Sequence, residues 1–241
     1  SLYSVVHEGG HALYELHVGR ELSRTCLGGG VSMAIHESQS RFYENIIGRS
    51  RAFCGIIYPW LREHFAPRLD DVSPEDFYRM INKAQPSLIR TEADELTYCL
   101  HIMVRYELER RMFAGELTAH DLPAEWNRLY KAYLGVDVPN DREGILQDSH
   151  WANGNIGYFP SYAIGSAYGA QYLRQMQKDF DVSAAVATGR LTQINCWLEE
   201  KIWKYGCMKD PTPLFESVCG PFDPTCYTAY LRDKFTEVYG L

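Results

Sequence analysis

Residues 7–11 read His-Glu-Gly-Gly-His, which places two imidazoles four positions apart with a carboxylate beside the first. On a helix this spacing sends both rings off one face on successive turns, where they can grip a single ion. A zinc ion with three protein ligands keeps a position for water, whose pKa falls to about 7, and Glu8 stands where it can take that proton. The chemistry open to such a set is metal-assisted hydrolysis. Gly9 and Gly10 weigh against a purely structural helix, because each costs about 1 kcal/mol relative to alanine; their missing side chains point to something packed close by.

A third ligand has to come from another segment. His36-Glu37, just after three consecutive glycines at 28–30, is the pair best placed to supply it. Glu37 is the first choice, since a carboxylate is favoured at the expected start of a helix and two His with one Glu is a common catalytic zinc set; His36 competes with it. Cobalt suits the same donors.

The elements that must position these residues read as helices. Apolar residues recur at three- and four-residue spacing over 2–18, 38–66, 74–84, 91–115, 121–134, 160–179, 191–205 and 223–239. Ser73 before Pro74, and Asp121 before Pro123, mark helix starts, while Gly115, Gly135 and Gly206 suit helix ends. Only 26–37 departs from the pattern. Its glycines preclude a stable helix and residues 31–35 alternate with period two, which predicts a loop and one short edge strand or hairpin near the metal helix. The stretch 135–160 is rich in Gly, Pro, Asn and Asp and long enough to be a functional loop. The fold class expected is mostly α.

The chain of 241 residues is 46% hydrophobic and 23% charged, an ordinary soluble globular composition for which one compact unit is the default. A net charge of −7 with scattered Lys and Arg argues against nucleic acid or an anionic membrane as partner. No apolar run approaches the roughly 20 residues needed to span a bilayer. Seven cysteines, with no C-x-x-C pair, signal neither a disulfide framework nor a cysteine zinc site; a reducing, cytoplasmic compartment fits, and Cys219 and Cys226 are expected to be free thiols.

Five blocks then appear in order: HEGGHALYE at 7–15, HESQSRFYEN at 36–45, IRTEADELTY at 89–98, GILQDSHW at 144–151 and GYFPSYAIG at 157–165. In these the chain resembles the carboxypeptidase Taq family of zinc metallocarboxypeptidases. The resemblance implies a helical zincin-like fold with a deep cleft, a single divalent metal, homodimers, and release of C-terminal amino acids from peptides with broad specificity. It also implies His7, His11 and Glu37 as metal ligands and Glu8 as general base. The family's D-x-R-x-T block precedes the metal helix and does not occur here. With only six residues ahead of His7, residues 1–241 are expected to be the C-terminal catalytic portion of a longer protein, without roughly the N-terminal half of a typical member. Rival readings are a zinc endo-oligopeptidase or aminopeptidase of the same helical class, or an inactive fragment.

An enzyme acting at a C-terminus must recognise a free carboxylate, for which the planar fork of arginine is suited. Arg90 is the leading candidate, ahead of Arg41 and Arg105. Asp94 is expected to orient that guanidinium or to accept the outer N–H of a ligand histidine, with Asp148 the competing acceptor. His150, Tyr158 and Tyr162 are the expected donors to a developing oxyanion. Residues 166–241 read as packing.

Overall fold

A computed structural model describes residues 2–241. It contains eleven α-helices: α1 (Leu2–Leu16), α2 (Met33–Arg41), α3 (Arg51–His64), α4 (Pro74–Ile81), α5 (Tyr98–Phe113), α6 (Leu122–Leu134), α7 (Pro160–Met176), α8 (Val182–Ala187), α9 (Leu191–Lys201), α10 (Pro211–Cys219) and α11 (Thr225–Tyr239). The mostly helical class is met. No strand occurs among the described residues, so the edge strand or hairpin expected within 26–37 is absent. The reason is local. The Ser32 hydroxyl accepts from the Ile35 backbone N–H and caps α2, so residues 33–35 open a helix and their alternation with period two is incidental.

The run expected as one helix over 38–66 is three elements. After α2 the chain widens into a π-helical segment, Phe42–Ile47, and Ser50 then caps α3 through the Phe53 N–H. Helices α8 and α10 lie where none was expected. Both are short, so a periodic pattern has little length to show in, but each carries a start signal: Asp181 accepts from Ala184 N–H, and Pro211 stands at the first turn of α10. The starts marked at Ser73 and Asp121 and the ends at Gly115 and Gly135 hold, with a capping box between Ser73 and Asp76 and left-handed glycines at 115 (φ +73°) and 135 (φ +70°), whereas the helix expected over 91–115 begins only at Tyr98 and that over 191–205 ends at Lys201.

Composition pointed to one compact unit, whereas the chain forms two. One unites the N-terminal segment through Asn82 with Ile164–Leu241; the other is Lys83–Ala163. In the first, α1 packs on α2 over a core that includes Tyr14, Ile35, Phe42, Tyr172 and Trp203, all fully buried. Helix α2 also buries Glu37, Ser38, Gln39 and Ser40, an expensive run unless each polar group is partnered. Gln39 accepts from the Trp203 indole N–H at 2.9 Å and donates to Ser38, while Ser40 donates to Glu37. In the second unit, α5 packs on α6 around Val104, Leu108, Trp126 and Tyr130.

Two glycines set the approach to α2. A methyl group on Gly10 would lie 2.7 Å from the Gln39 carbonyl oxygen, and one on Gly165 in α7 would lie 2.7 Å from the Glu37 Cβ. Gly9 has open space around it. No described helix is long and apolar enough to cross a membrane, and none of the seven cysteines forms a disulfide.

Candidate metal centre

Close packing of α1 on α2 brings His7, His11 and Glu37 together, with one potential ligand atom from each lying within 4.8 Å of the others. The Glu37 Oε2 lies 3.6 Å from His7 Nε2 and 3.5 Å from His11 Nε2. Ligand atoms about 2.0–2.1 Å from one tetrahedral ion stand about 3.3 Å apart, so this spacing suits a shared ion. The donor set passes that test on chemistry as well as distance. Glu37 is 3% exposed. Burial opposes its charge, but the His11 contact, with Arg41 and His7 beside it, holds the carboxyl down at about 2, and the ligand is therefore anionic. Glu37 lies in the second turn of α2 rather than at its start, so the His11 contact and the Arg41 charge, not the helix end, hold the carboxylate ionised.

The outer ring nitrogens of the two histidines are both occupied, but not by the expected aspartates. His7 Nδ1 lies 2.9 Å from Glu44 Oε2, and His11 Nδ1 lies 2.8 Å from His36 Nδ1. Arg41 donates its Nε–H to Glu37 and an Nη1–H to Glu44, and Arg49 lies 3.6 Å from the other Glu44 oxygen. Burial opposes the charge on Glu44, and His7, Arg41 and Arg49 bring its pKa below the usual range. Arg41, weighed above as a substrate ligand, thus bridges two carboxylates. Glu8, one residue past His7, is exposed.

The other expected residues belong to the second unit. Arg90 is only 6% exposed. Its Nε–H and an Nη2–H both go to Asp148 Oδ1, at 2.9 and 2.8 Å, and an Nη1–H goes to the Tyr98 hydroxyl at 3.1 Å. The fork expected to hold a substrate carboxylate is therefore engaged with a carboxylate of this chain. Arg105 is fully buried and donates to the second oxygen of Asp148 at 2.6 Å, so one aspartate joins two guanidinium groups. Asp94 instead accepts from the backbone N–H groups of Gln85 and Thr97 and from the Thr97 hydroxyl, which braces the entry to α5. His150 Nε2 lies 3.0 Å from the Tyr162 hydroxyl, and its ring stands 5.4 Å from that of Tyr158. Burial, with the Arg90 charge next, lowers the His150 pKa, so its ring is neutral at pH 7. The three expected oxyanion donors thus form one cluster.

Sequence reasoning passed over Glu44, Glu15 and Gly165. Glu15 could have been found: it follows His7 and His11 at the same four-residue spacing on α1. Glu44 could not, because the π-helical segment shifts the helical phase at that point.

The chain belongs to the carboxypeptidase Taq (M32) metallopeptidase family, whose pattern matches residues 1–235. It is 44% identical to Carboxypeptidase 1 of Bacillus subtilis over 99% of this chain and 48% of that protein. Against Thermostable carboxypeptidase 1 of Pyrococcus furiosus the identity is also 44%, over 98% of this chain and 47% of the relative. Its fold matches the crystal structure of the M32 carboxypeptidase from Deinococcus radiodurans R1 with a TM-score of 0.97 and 43% identity, covering 100% of this chain and 49% of that one. The chain spans about half the length of the curated relatives it matches.

Proposed function

We propose that this chain carries the catalytic metal centre of a carboxypeptidase that releases C-terminal amino acids from peptides with broad specificity. The observation that carries the proposal is the convergence of His7 Nε2, His11 Nε2 and Glu37 Oε2, with the outer nitrogen of each histidine already held by a neighbour. His7, His11 and Glu37 would hold the ion, zinc by preference and cobalt as an alternative. When bound, the ion supplies a Lewis acid that acidifies water and polarises the scissile carbonyl.

The chain's own residues account for the proton movements. Glu8 projects from the turn of α1 that carries His7, exposed to solvent, and takes the proton from the attacking water as general base. The same carboxyl then delivers that proton to the nitrogen of the departing amino acid. His150, with Tyr158 or Tyr162, donates to the oxyanion; a neutral His150 can offer one N–H for this purpose. A cytoplasmic setting accords with seven cysteines of which none forms a disulfide. Homodimerisation is carried over from the family resemblance.

The test pairs zinc analysis with product analysis on the wild-type chain and Glu8→Gln. The variant is expected to retain zinc and lose turnover by at least 10²-fold, and undiminished turnover would remove Glu8 from the mechanism. Peptides with a free C-terminus are expected to lose single residues while C-terminally amidated ones resist. Equal cleavage of both would favour an endo-oligopeptidase, and a wild-type chain that binds zinc without cleaving either would be an inactive portion of the enzyme.

A further inference from the structure

The glycine loop at 28–30 and the exposed Glu15 have no part in the chemistry above, yet with the displaced candidate His36 they form one connected construction. His36 Nε2 lies 2.6 Å from Glu15 Oε1, which also accepts the Gly30 backbone N–H at 2.9 Å. The His36 ring is packed so tightly against this loop that a methyl group on Gly30 would stand 2.5 Å from its Cδ2 and 2.9 Å from the Tyr14 ring. Gly29 turns the loop at φ +104°, where side chains are strained, and the Cys207 N–H holds the Leu27 carbonyl at 2.9 Å. Tyr14, fully buried, accepts the Val31 N–H through its hydroxyl and lies with its ring centroid 4.9 Å from that of His36. His36 is therefore clamped from three sides.

What the clamp determines is a tautomer. Two ring nitrogens 2.8 Å apart, His11 Nδ1 and His36 Nδ1, need one proton between them. If His11 offers its Nε2 lone pair to an ion, its proton sits on Nδ1, and His36 must accept it. The His36 proton then sits on Nε2 and points at Glu15, where an acceptor waits. Every group has a single consistent role, and the contact lies on the side of the His11 ring away from its Nε2. That side excludes His36 from sharing an ion with His11 Nε2, which was its rival assignment.

We propose that His36 is a positioning residue for His11, a role that rests on the metal centre proposed above. Held as the Nε2–H tautomer by Glu15 and the 28–30 loop, it accepts the His11 Nδ1–H and fixes that ring with its Nε2 directed at the ion. The two histidine ligands are thereby supported unequally. His7 leans on a carboxylate directly, whereas the imidazole of His36 stands between His11 and the carboxylate of Glu15. Gly30 is needed for clearance around this relay, and Gly29 for the positive φ that turns the loop.

The test measures the zinc dissociation constant of the 241-residue chain by competition with a chromophoric chelator. His36→Phe is expected to weaken zinc binding about 10–100-fold, and His36→Gln, whose amide oxygen can accept the His11 proton, to recover most of the loss. Gly30→Ala, which leaves every polar group in place but displaces the ring, is expected to weaken binding in the same direction. Should His36→Phe fail to fold, nitrogen-15 spectra of the zinc-loaded wild type decide the matter without a variant: His11 is expected to be protonated at Nδ1 and His36 at Nε2. Zinc binding by folded His36→Phe within twofold of wild type, or His36 protonated at Nδ1, would overturn the relay while leaving the metal centre standing. A wild-type chain that binds no zinc, or His11→Ala that binds it equally well, would remove the centre itself and the relay with it.

Discussion

Asp148 and Arg90 come from two of the family blocks, and their contact changes what each can do. Among the described residues Asp148 is the one carboxylate paired with the two buried guanidinium groups of Arg90 and Arg105, at 2.8 and 2.6 Å. Removing a member of a buried ion pair strands its partner's charge, a cost of about 3–5 kcal/mol. Asp148→Asn strands two cations and Arg90→Ala strands none, because Asp148 keeps Arg105. Urea unfolding is expected to show Asp148→Asn losing about 3–5 kcal/mol and Arg90→Ala clearly less. A stability unchanged in Arg90→Ala, together with a raised KM for peptides with free C-termini, would instead return Arg90 to the substrate's carboxylate. The same side chain cannot hold both partners with one fork.

At the scale of elements, the metal centre depends on how closely α1 can approach α2. Gly10 is buried at that crossing and Gly9 is not, so the two glycines of the motif have different duties. Gly10→Ala would set a methyl 2.7 Å from α2 backbone atoms, and overpacking of this kind costs about 1–3 kcal/mol. Gly9→Ala meets open space and is expected to stabilise by up to about 1 kcal/mol through helix propensity. Denaturant midpoints of the pair separate the two, and equal effects would show that α1 is not held against α2 by this contact. The π-helical segment at Phe42–Ile47 is a second such device, since it turns Glu44 toward His7 while Glu37 still faces the histidines.

Across the whole molecule, acid acts through His101 before it acts through Glu37. Burial, and then the charges of Arg105 and Arg90, push the His101 pKa down to about 3, with its Nε2 buried and unpartnered. Its folded pKa lies below the unfolded value of about 6.5, so the unfolded chain binds the extra proton and stability falls as pH drops from about 6.5 toward 3. Between pH 7 and 5 the loss is expected to be about 2 kcal/mol. Glu37, whose folded pKa is also depressed, contributes above its unfolded value near 4.5 and loses that contribution only as pH falls toward 2. Urea midpoints at pH 7 and 5 are expected to differ less in His101→Gln than in wild type. An unchanged difference would mean that another group carries the acid sensitivity.

What the order of residues determined by itself was local. Two imidazoles at a spacing of four, a carboxylate between them, and helix starts at Ser73 and Asp121 are legible because a helix repeats over a few residues and its capping rules act within one turn. The choice between Glu37 and His36 stayed open on spacing, because adjacent residues point in different directions that only the partner helix distinguishes. Tertiary packing made the rest. It joined His7 to Glu44 across 37 residues, His11 to His36 across 25 and Arg90 to Asp148 across 58. The helix that stands where a strand was expected is a local matter as well, because the Ser32 cap on Ile35 outweighed an alternation of five residues. A motif names the atoms that can bind an ion; the contacts that aim them come from chain segments far apart in sequence, whose meeting is decided by which surfaces fit when the core is closed.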